Sequence, residues 1–401
     1  MKRLIVFLLV ISPLSFVLAQ DEWGDIRWDN GIKAENPKEG YRVKFGGRFM
    51  LDGMAARATG DPVPGGLTDP VSGVEFRRLW IYSAGEIYQN VRYKFQIDLS
   101  SDKIRLKDAY IGLKDIPIAG NLQLGHFKEP VGLEMLTSSN YITFMERALT
   151  NPFTPDRKTG AMVYRNWAGK RGAFFLGYFF PSDLNGTYLG GRYRITSRLT
   201  WLPLYRTENG FRLIHLGISF SHRYENSGNF QLKSRPESHL LPSLVLAEID
   251  RTRLNRQAGT EAAAVFGRWS LQGEYIFSDV FTAENSNMAN DRYHMKSYYV
   301  YASCFLTGEH RTYSTGSASF SRVKPVKKFG DGGAGAFEVA LRYSGIDLND
   351  HDLQGGVMHN ITLGFNWYLN PAVRIMTNWL LASLEPQGAV TIGQIRFQYN
   401  F

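Results

Sequence analysis

Polar and apolar residues alternate strictly over many short stretches of this chain. In YKFQIDL, residues 93–99, large apolar side chains occupy every second position, and Lys94, Gln96 and Asp98 occupy the others. The last stretch, QIRFQYNF at 394–401, alternates in the same way and ends on Phe401. A period of two is typical of a β-strand with one apolar and one polar face. The pattern therefore predicts a sheet with two chemically different surfaces.

Counting such stretches predicts sixteen strands. They lie near 41–54, 75–87, 93–100, 105–114, 122–128, 160–166, 173–180, 188–202, 211–223, 259–266, 270–278, 294–306, 336–345, 357–368, 373–383 and 390–401. A sheet of this size encloses an interior too wide for side chains to fill. We therefore expect the apolar face outside, against lipid, and the charged face inside, against water. The predicted fold class is all-β, a transmembrane antiparallel β-barrel of about 16 strands.

Tight and long gaps alternate between these strands, and an even count places both ends of the barrel, including Phe401, on the periplasmic side. The segments 129–159 and 224–257 are then long outer loops. We expect both to fold inward and to narrow the pore. The segment 307–335 breaks the alternation, because it makes a long periplasmic connection. If 317–324 pairs into the sheet, the barrel has eighteen strands instead.

The amino terminus predicts export. Lys2 and Arg3 precede an apolar run at 4–17, and Ala19 is a small residue at a suitable distance from it. This arrangement indicates a signal peptide over residues 1–19. A membrane anchor is the alternative, which the short run and its interruption by Pro13 disfavour. Residues 20–40 are then an N-terminal extension, and 41–401 the barrel.

Composition supports an exported barrel with an anionic partner. The chain has 401 residues with 40 Gly, 26 Phe, 21 Tyr and 8 Trp, and its single cysteine, Cys304, excludes an internal disulfide. The formal charge of +9 favours an anionic ligand or a polyanionic surface. The eight histidines lack metal-ligand spacing. We expect no metal, no cofactor and no nucleic-acid partner.

Several blocks together resemble the phosphate-selective porin O and P family. They are VEFRRLW at 74–80, GHFKEPVGLEMLTSSNYITFMERAL at 125–149, KSRPES at 233–238, CFLTGEHRTY at 304–313, GAFEVALRYSGIDLND at 335–350 and LGFNWYLNPAVRIM at 363–376. The resemblance implies an outer-membrane barrel of sixteen strands, typically a homotrimer, with an inward loop and a ladder of basic side chains. It also implies that Phe401 is recognised by the machinery that inserts barrels into the outer membrane.

The resemblance assigns Arg77 and Arg78 to the anion constriction. Neighbours in a strand point to opposite faces, so both reach the lumen only at a bulge or at the barrel rim. In the alternative, one of the two arginines snorkels at the lipid interface. Guanidinium forks bind phosphate oxygens in pairs, which suits arginine to this task.

The long loop supplies a second set of candidates by the same resemblance. Lys128, Ser138 and Ser139, together with Arg147, match a constriction that contacts a partly dehydrated anion. Alternatively, the two serines cap a short helix, since SSNYITFMERAL has a roughly helical period. Carboxylates of this segment are expected to pair with arginines of the wall; these are Glu129, Glu134 and Glu146.

Other candidates lie on a strand and on the later loop. Asp98 matches an acid that accepts a hydrogen bond from monoanionic phosphate; the alternative is a salt bridge within the wall. In the family, arginines form the basic ladder that Lys233, Arg235, Arg251 and Arg253 match, and Lys233 departs from that pattern. A solvated basic loop, or one facing the phosphates of lipopolysaccharide, is the alternative for these four residues.

The sequence predicts an outer-membrane diffusion channel selective for anions, with inorganic phosphate or polyphosphate as the expected cargo. A general porin, or one for another small acid, is the alternative, because only the constriction chemistry separates them. An enzyme such as a barrel phospholipase needs serine and histidine on outward positions. His215 and Ser219 are on the polar face, which disfavours this function, and an adhesive barrel lacks positive support.

Overall fold

A computed structural model describes residues 25–60, 70–181, 190–208 and 210–401. The predicted signal peptide, 1–19, lies outside these residues. Among the described residues, no helix is long and apolar enough to cross a membrane. The helical elements are a single turn, α1 at Leu133–Leu136, and a 3-10 turn at Asn151–Phe153.

Sixteen strands close into one antiparallel barrel, as predicted. The last strand closes the barrel by pairing with the first, so that Phe397 lies opposite Leu51. The barrel strands are β3 (Tyr41–Thr59), β4 (Val71–Ile87), β5 (Val91–Asp98), β6 (Arg105–Ile116), β7 (Gly120–Lys128), β8 (Arg157–Trp167), β9 (Gly172–Phe180), β10 (Tyr193–Arg206), β11 (Arg212–Ser234), β12 (Val245–Phe266), β13 (Trp269–Thr282), β14 (Arg292–Phe305), β17 (Ala336–Asp350), β18 (Leu353–Tyr368), β19 (Val373–Glu385) and β20 (Gly388–Asn400).

The burial pattern is the inverse of that in a soluble barrel. Phe95 and Ile218 are 51% and 55% exposed on the outer surface, whereas Arg198 and Arg342 are each 1% exposed inside. Burying a charge is costly unless it is paired. An apolar exterior with a charged, hydrogen-bonded interior is the arrangement expected of a barrel surrounded by lipid.

The prediction of a long outer loop at 224–257 was wrong. Strand β11 continues to Ser234 and β12 begins at Val245, so the loop is only 235–244. The register shifts between Tyr224 and Gly228 and again before Phe230. These bulges interrupt the alternation of polar and apolar residues, which hid the outer halves of both strands from the sequence pattern.

The long connection 306–335 carries a hairpin into the barrel. Its strands, β15 (Tyr313–Ser314) and β16 (Ser319–Phe320), pair only with each other. The hydroxyl oxygen of Tyr313 lies 2.8 Å from Nδ1 of His215, and Arg198 donates to the carbonyl of Ala318 at 2.9 Å. The hairpin therefore packs inside the barrel without joining its wall, and the barrel has sixteen strands rather than eighteen.

A second hairpin extends the sheet at the end where the chain terminates. Strands β1 (Asp25–Trp28) and β2 (Ile32–Asn36) pair with each other, and β2 pairs with β3. Phe401 exchanges main-chain hydrogen bonds with Gly47, and its ring stacks on Trp28 at a centroid distance of 6.4 Å. A Cβ on Gly47 would lie 2.6 Å from the Phe401 ring. Glycine at this position therefore leaves room for the Phe401 ring to pack against the barrel wall.

Candidate functional site

The loop 129–156 folds into the barrel and is fixed there through its main chain. Side chains of β18 and β19 donate hydrogen bonds to carbonyl oxygens of the loop. Arg374 donates to the carbonyl of Ile142 and Asn366 to that of Thr143, each at 2.9 Å. Phe144 is fully buried beneath these contacts. Since several strands hold it at once, the loop is a rigid partition of the lumen rather than a mobile flap.

The helix expected around SSNYITFMERAL is absent from residues 138–149, which form turns and bends. The one helical turn, α1, ends before Ser138. A helix needs its carbonyl oxygens for amides four residues later, but here wall side chains such as Arg374 use them. The serines therefore do not cap a helix, and that alternative was wrong.

Arg342 of β17 joins both inward loops to the wall. One terminal nitrogen, Nη2, donates to Oε2 of Glu237 in loop 235–244 at 2.6 Å. The other, Nη1, donates to the carbonyl of Glu146 at 3.1 Å and lies 3.4 Å from Oε1 of Glu134. The guanidinium also covers the ring of Phe144 at 4.2 Å. One buried arginine thus sets the positions of two loops relative to each other.

All three carboxylates of loop 129–156 that were predicted to pair with wall arginines do so. Glu129 contacts Arg194 with a nitrogen–oxygen distance of 3.4 Å, and Glu134 contacts Arg342 at 3.4 Å. Glu146 accepts two hydrogen bonds from Arg77, at 2.8 and 2.9 Å. These acids neutralise arginines of the wall.

A cavity of about 840 Å³ remains between loop 129–156 and strands β3–β9. Ten cationic side chains line it, against four carboxylates from Glu75, Asp98, Asp108 and Asp156. The excess makes the cavity strongly electropositive, and low-dielectric walls concentrate such a field. The cations are Arg48, Arg77, Arg78, Arg92, Lys94, Arg105, Lys107, Lys128, Arg147 and Arg157.

A bulge turns both members of the Arg77–Arg78 pair toward the lumen. Met50 of β3 lies opposite Arg78, and the next residue, Leu51, lies opposite Phe76, so Arg77 is the extra residue on β4. Both guanidiniums reach Glu146, Arg77 at 2.8 Å and Arg78 at 3.7 Å. Neither arginine is at the lipid interface.

Glu146 links this pair to the closing strand. Arg396 of β20 donates to Oε1 of Glu146 at 2.8 Å. Although burial raises the pKa of the Glu146 carboxyl, Arg77, Arg78 and Arg396 together hold that pKa well below its usual range. The carboxylate is thus permanently ionised at neutral pH and neutralises part of the charge that Arg77 and Arg78 would offer an anion.

Lys128, Ser138 and Ser139 line the same cavity. The Lys128 ammonium donates to the carbonyl of Met135, and Arg48 donates to Oγ of Ser139 at 2.6 Å. Arg147 donates to the carbonyls of Glu134 and Thr137 at 3.1 and 3.0 Å. Carbonyl and hydroxyl partners orient a guanidinium without cancelling its charge, so Arg48 and Arg147 keep their attraction for an anion.

Asp98 also lines the cavity, but its carboxylate is already engaged. It accepts hydrogen bonds from the amide and the hydroxyl of Ser100 at 3.0 and 2.7 Å, and it lies 3.8 Å from the ammonium of Lys107. The wall salt bridge considered from sequence is therefore present. One carboxylate oxygen, Oδ2, has only the distant Lys107 as a partner among these contacts.

The remaining four candidates lie away from the cavity. Lys233 is exposed on β11, and Arg253 is exposed on β12 between buried neighbours. The side chain of Arg251 is 45% exposed and lies 3.9 Å from Asp250. Arg235 donates to the carbonyl of His239 at 2.5 Å. In loop 235–244 it is instead His239 that lines the cavity, with Nδ1 2.7 Å from Glu75.

Several cavity cations were not singled out from sequence. Arg92 and Lys94 share the polar face of β5 with Asp98, so the alternation of polar and apolar residues could have predicted that they line the lumen. Lys94 and Arg157 share the carboxylate of Asp108, at 2.6 and 2.7 Å. Arg157 had no such signal, because it begins β8 after the long loop.

One aromatic ring organises three of these cations. The side chain of Trp80 is surrounded by Arg48, Lys107 and Arg157, whose charged atoms lie 4.3, 5.3 and 5.5 Å from its ring. Cation–π attraction holds charges near a ring face without neutralising them. The indole therefore keeps like charges together that would otherwise repel one another.

His215 does not fit the enzymatic alternative. It is buried inside the barrel, where Nε2 lies 3.0 Å from Glu261. A lipid-cleaving barrel needs its histidine on the outer surface. Cys304 is buried, and no cluster of three or more potential metal ligands occurs among the described residues.

The closed barrel, its apolar exterior and its inward loops define an outer membrane porin. Solved structures share this fold: OmpT of Vibrio cholerae has a TM-score of 0.55 and 10% identity, covering 94% of this chain and 100% of that chain. OprB of Pseudomonas putida, at high pH, has a TM-score of 0.51 and 12% identity, covering 91% and 95%.

Within that class, the chain belongs to the family described as phosphate-selective porin O and P, whose model matches residues 60–401. Porin O of Pseudomonas aeruginosa is 25% identical over 399 residues, covering 90% of this chain and 87% of that protein. An uncharacterized protein of Caulobacter vibrioides is 27% identical, covering 92% and 73%. The protein is a channel of the Gram-negative outer membrane.

Proposed function

We propose that this porin is selective for anions and carries inorganic phosphate or polyphosphate. The observation that carries the proposal is the lining of the cavity, where ten cationic side chains face four carboxylates. A phosphate ion in this cavity is attracted by the excess of positive charge, whereas a cation is repelled. The family description agrees with this cargo.

The cations of the cavity differ in whether a carboxylate or an uncharged oxygen is their partner, and this difference sets how strongly each is expected to attract phosphate. Arg48 and Arg147, bonded to hydroxyl and carbonyl oxygens, offer undiminished charge. Guanidinium forks and the hydroxyls of Ser138 and Ser139 can replace part of the hydration shell of phosphate. Oδ2 of Asp98, which lies 3.8 Å from the Lys107 ammonium, can accept the proton of monoanionic phosphate, a proton that chloride lacks. Each contact is weak enough for the ion to leave.

The test is electrical. Reversal potential across a potassium chloride gradient in a planar bilayer gives the selectivity, and added phosphate measures block of the chloride current. We expect anion selectivity and block at millimolar phosphate or below, equivalent to about −4 kcal/mol. Cation preference contradicts the proposal. Anion preference without phosphate block leaves a general porin, or one for another small acid.

Three partners complete the proposal. The exposed positions of Lys233, Arg251 and Arg253 suit the phosphates of lipopolysaccharide better than a pore lining.

Phe401 ends the closing strand, and we expect the barrel insertion machinery to recognise it. A homotrimer is the expected assembly. Deleting Phe401 should lower the yield in the outer membrane more than the stability of the finished barrel; normal yield would count against this role.

A further inference from the structure

One part of the cavity wall, on β6–β9, is largely apolar and aromatic. Porin interiors are lined by polar side chains, yet five residues of β6–β9 that line the cavity are apolar or aromatic. They form one cluster with Ala318 of the inward hairpin, and Gly316 and Ser317 of that hairpin also line the cavity there. The five are Tyr110, Phe127, Met162, Tyr164 and Phe175.

The cluster is ordered by its own ring contacts. Tyr164 stacks on Phe175 at a centroid distance of 5.7 Å, and Tyr110 meets the edge-on ring of Phe127 at 5.9 Å. Arg92 lies 4.9 Å from the ring of Tyr164 and 5.9 Å from that of Tyr110. Tyr110 is only partly buried, so its ring is accessible from the cavity. An aromatic surface beside a cation suits an uncharged ring attached to an anion.

The cavity is also large for an inorganic ion. Its volume of about 840 Å³ falls in the range of pockets that enclose organic ligands, which combine apolar walls with a few polar groups. A bare phosphate uses the cations and leaves the partly exposed ring of Tyr110, which covers the buried members of the cluster, without a contact. The aromatic cluster is therefore unexplained by phosphate alone.

We propose that the cargo includes phosphate monoesters that carry a ring, an inference that rests on the proposed anion selectivity. The phosphate lies among the cations beside loop 129–156, and the ring lies on the cluster around Tyr110. The competing explanation is that the cluster only packs the inward hairpin. It predicts no preference for a ring in the cargo.

Block of the chloride current by phenyl phosphate, methyl phosphate and inorganic phosphate tests the proposal on the unaltered channel. An aromatic contact of this kind is worth about two- to tenfold in affinity. Phenyl phosphate should block at correspondingly lower concentration than the other two. Equal block by all three overturns the inference while leaving the proposed function intact. Absence of block by any of them, with cation selectivity, overturns the proposed function itself.

A pair of variants then locates the ring site. Tyr110→Phe keeps the ring and should keep the advantage of phenyl phosphate. Tyr110→Ser should remove that advantage and leave block by inorganic phosphate unchanged. If Tyr110→Ser weakens block by all three ions equally, the cluster serves packing and the inference is wrong. Should Tyr110→Ser fail to fold, the comparison of the three ions on the unaltered channel decides alone.

Discussion

Lumenal arginines on the two sides of the barrel include pairs with opposite kinds of partner. On the side of β10–β20, Arg198 lies 2.5 Å from Glu261, and Arg342 lies 2.6 Å from Glu237, so both charges are cancelled. On the side of β3–β9, Arg48 and Arg147 are held mainly by uncharged oxygens. The first set anchors loops, and the second set creates a field. A lumenal arginine therefore attracts an anion most strongly where no carboxylate neutralises it.

The largest expected effect is on the anchoring side. Arg342→Met leaves the carboxylates of Glu134 and Glu237 buried without their arginine. Breaking a buried ion pair in this way costs about 3–5 kcal/mol. For the variant in phospholipid vesicles, we expect unfolding at a lower denaturant concentration. We also expect a noisier open-channel current, because both inward loops lose their shared contact with Arg342.

Arg342→Lys serves as the matched variant. It keeps the positive charge but loses the fork that reaches two loops, so its midpoint should fall between those of the parent and Arg342→Met. An unchanged midpoint for Arg342→Met would show that the loops are held without this residue.

The next effect is on the side that creates the field. Arg105→Glu with Lys107→Glu changes the lining from ten cations and four carboxylates to eight and six. The ratio of anion to cation permeability should fall about tenfold, equivalent to about 1.4 kcal/mol. Reversal potential in a salt gradient measures it, at low salt where screening is weak.

The control for this variant inverts two charges outside the cavity. Lys233→Glu with Arg253→Glu makes the same change in net charge at exposed positions. It should leave the reversal potential unchanged. Equal effects of the two double variants would mean that net charge, rather than the lining of this cavity, sets selectivity.

A smaller effect is expected at Glu146, which joins Arg77 and Arg78 on β4 to Arg396 on β20. Glu146→Gln removes the carboxylate that neutralises Arg77 and Arg78, while Arg396 keeps its pair with Asp52 at 2.6 Å. Phosphate block of the chloride current should strengthen about two- to fivefold, since the N–H donors of both guanidiniums then face the anion without a competing carboxylate. Glu129→Gln changes the same loop outside the cavity lining and should not alter block. Weaker block in Glu146→Gln would contradict this account.

The smallest expected effect is that of mild acid. Because the pKa of Glu146 is lowered in the folded protein, its ion pairs persist above the pKa of an ordinary carboxyl, about 4.3, and are lost only below that value. Lowering the pH from 8 to 5 should therefore leave chloride selectivity unchanged in a His239→Gln channel, which lacks the imidazole beside Glu75. A rise in anion selectivity over this range in that channel that disappears when Glu146→Gln is added would mean that Glu146 becomes protonated.

Much of the architecture was accessible from sequence. The alternation in 93–99 and 394–401 assigned each side chain to the outside or the lumen, because a strand has a fixed period of two. Counting such stretches gave the sixteen strands of the closed barrel. The outer halves of β11 and β12 escaped this method, since bulges near Gly228 break the period.

The charge balance of the site was decided by the tertiary structure. The sequence supplied Arg77 and Arg78 as candidates, but only the bulge at Arg77 turns both toward the lumen. Their neutralising partner, Glu146, is 69 residues from Arg77, and the pair formed by Arg396 and Asp52 spans 344 residues. Local sequence indicates which face a side chain occupies wherever the period of two is unbroken. Which charges meet across the lumen depends on the closure of the barrel and on the path of the inward loop, because attraction between charges depends on distance in space rather than along the chain.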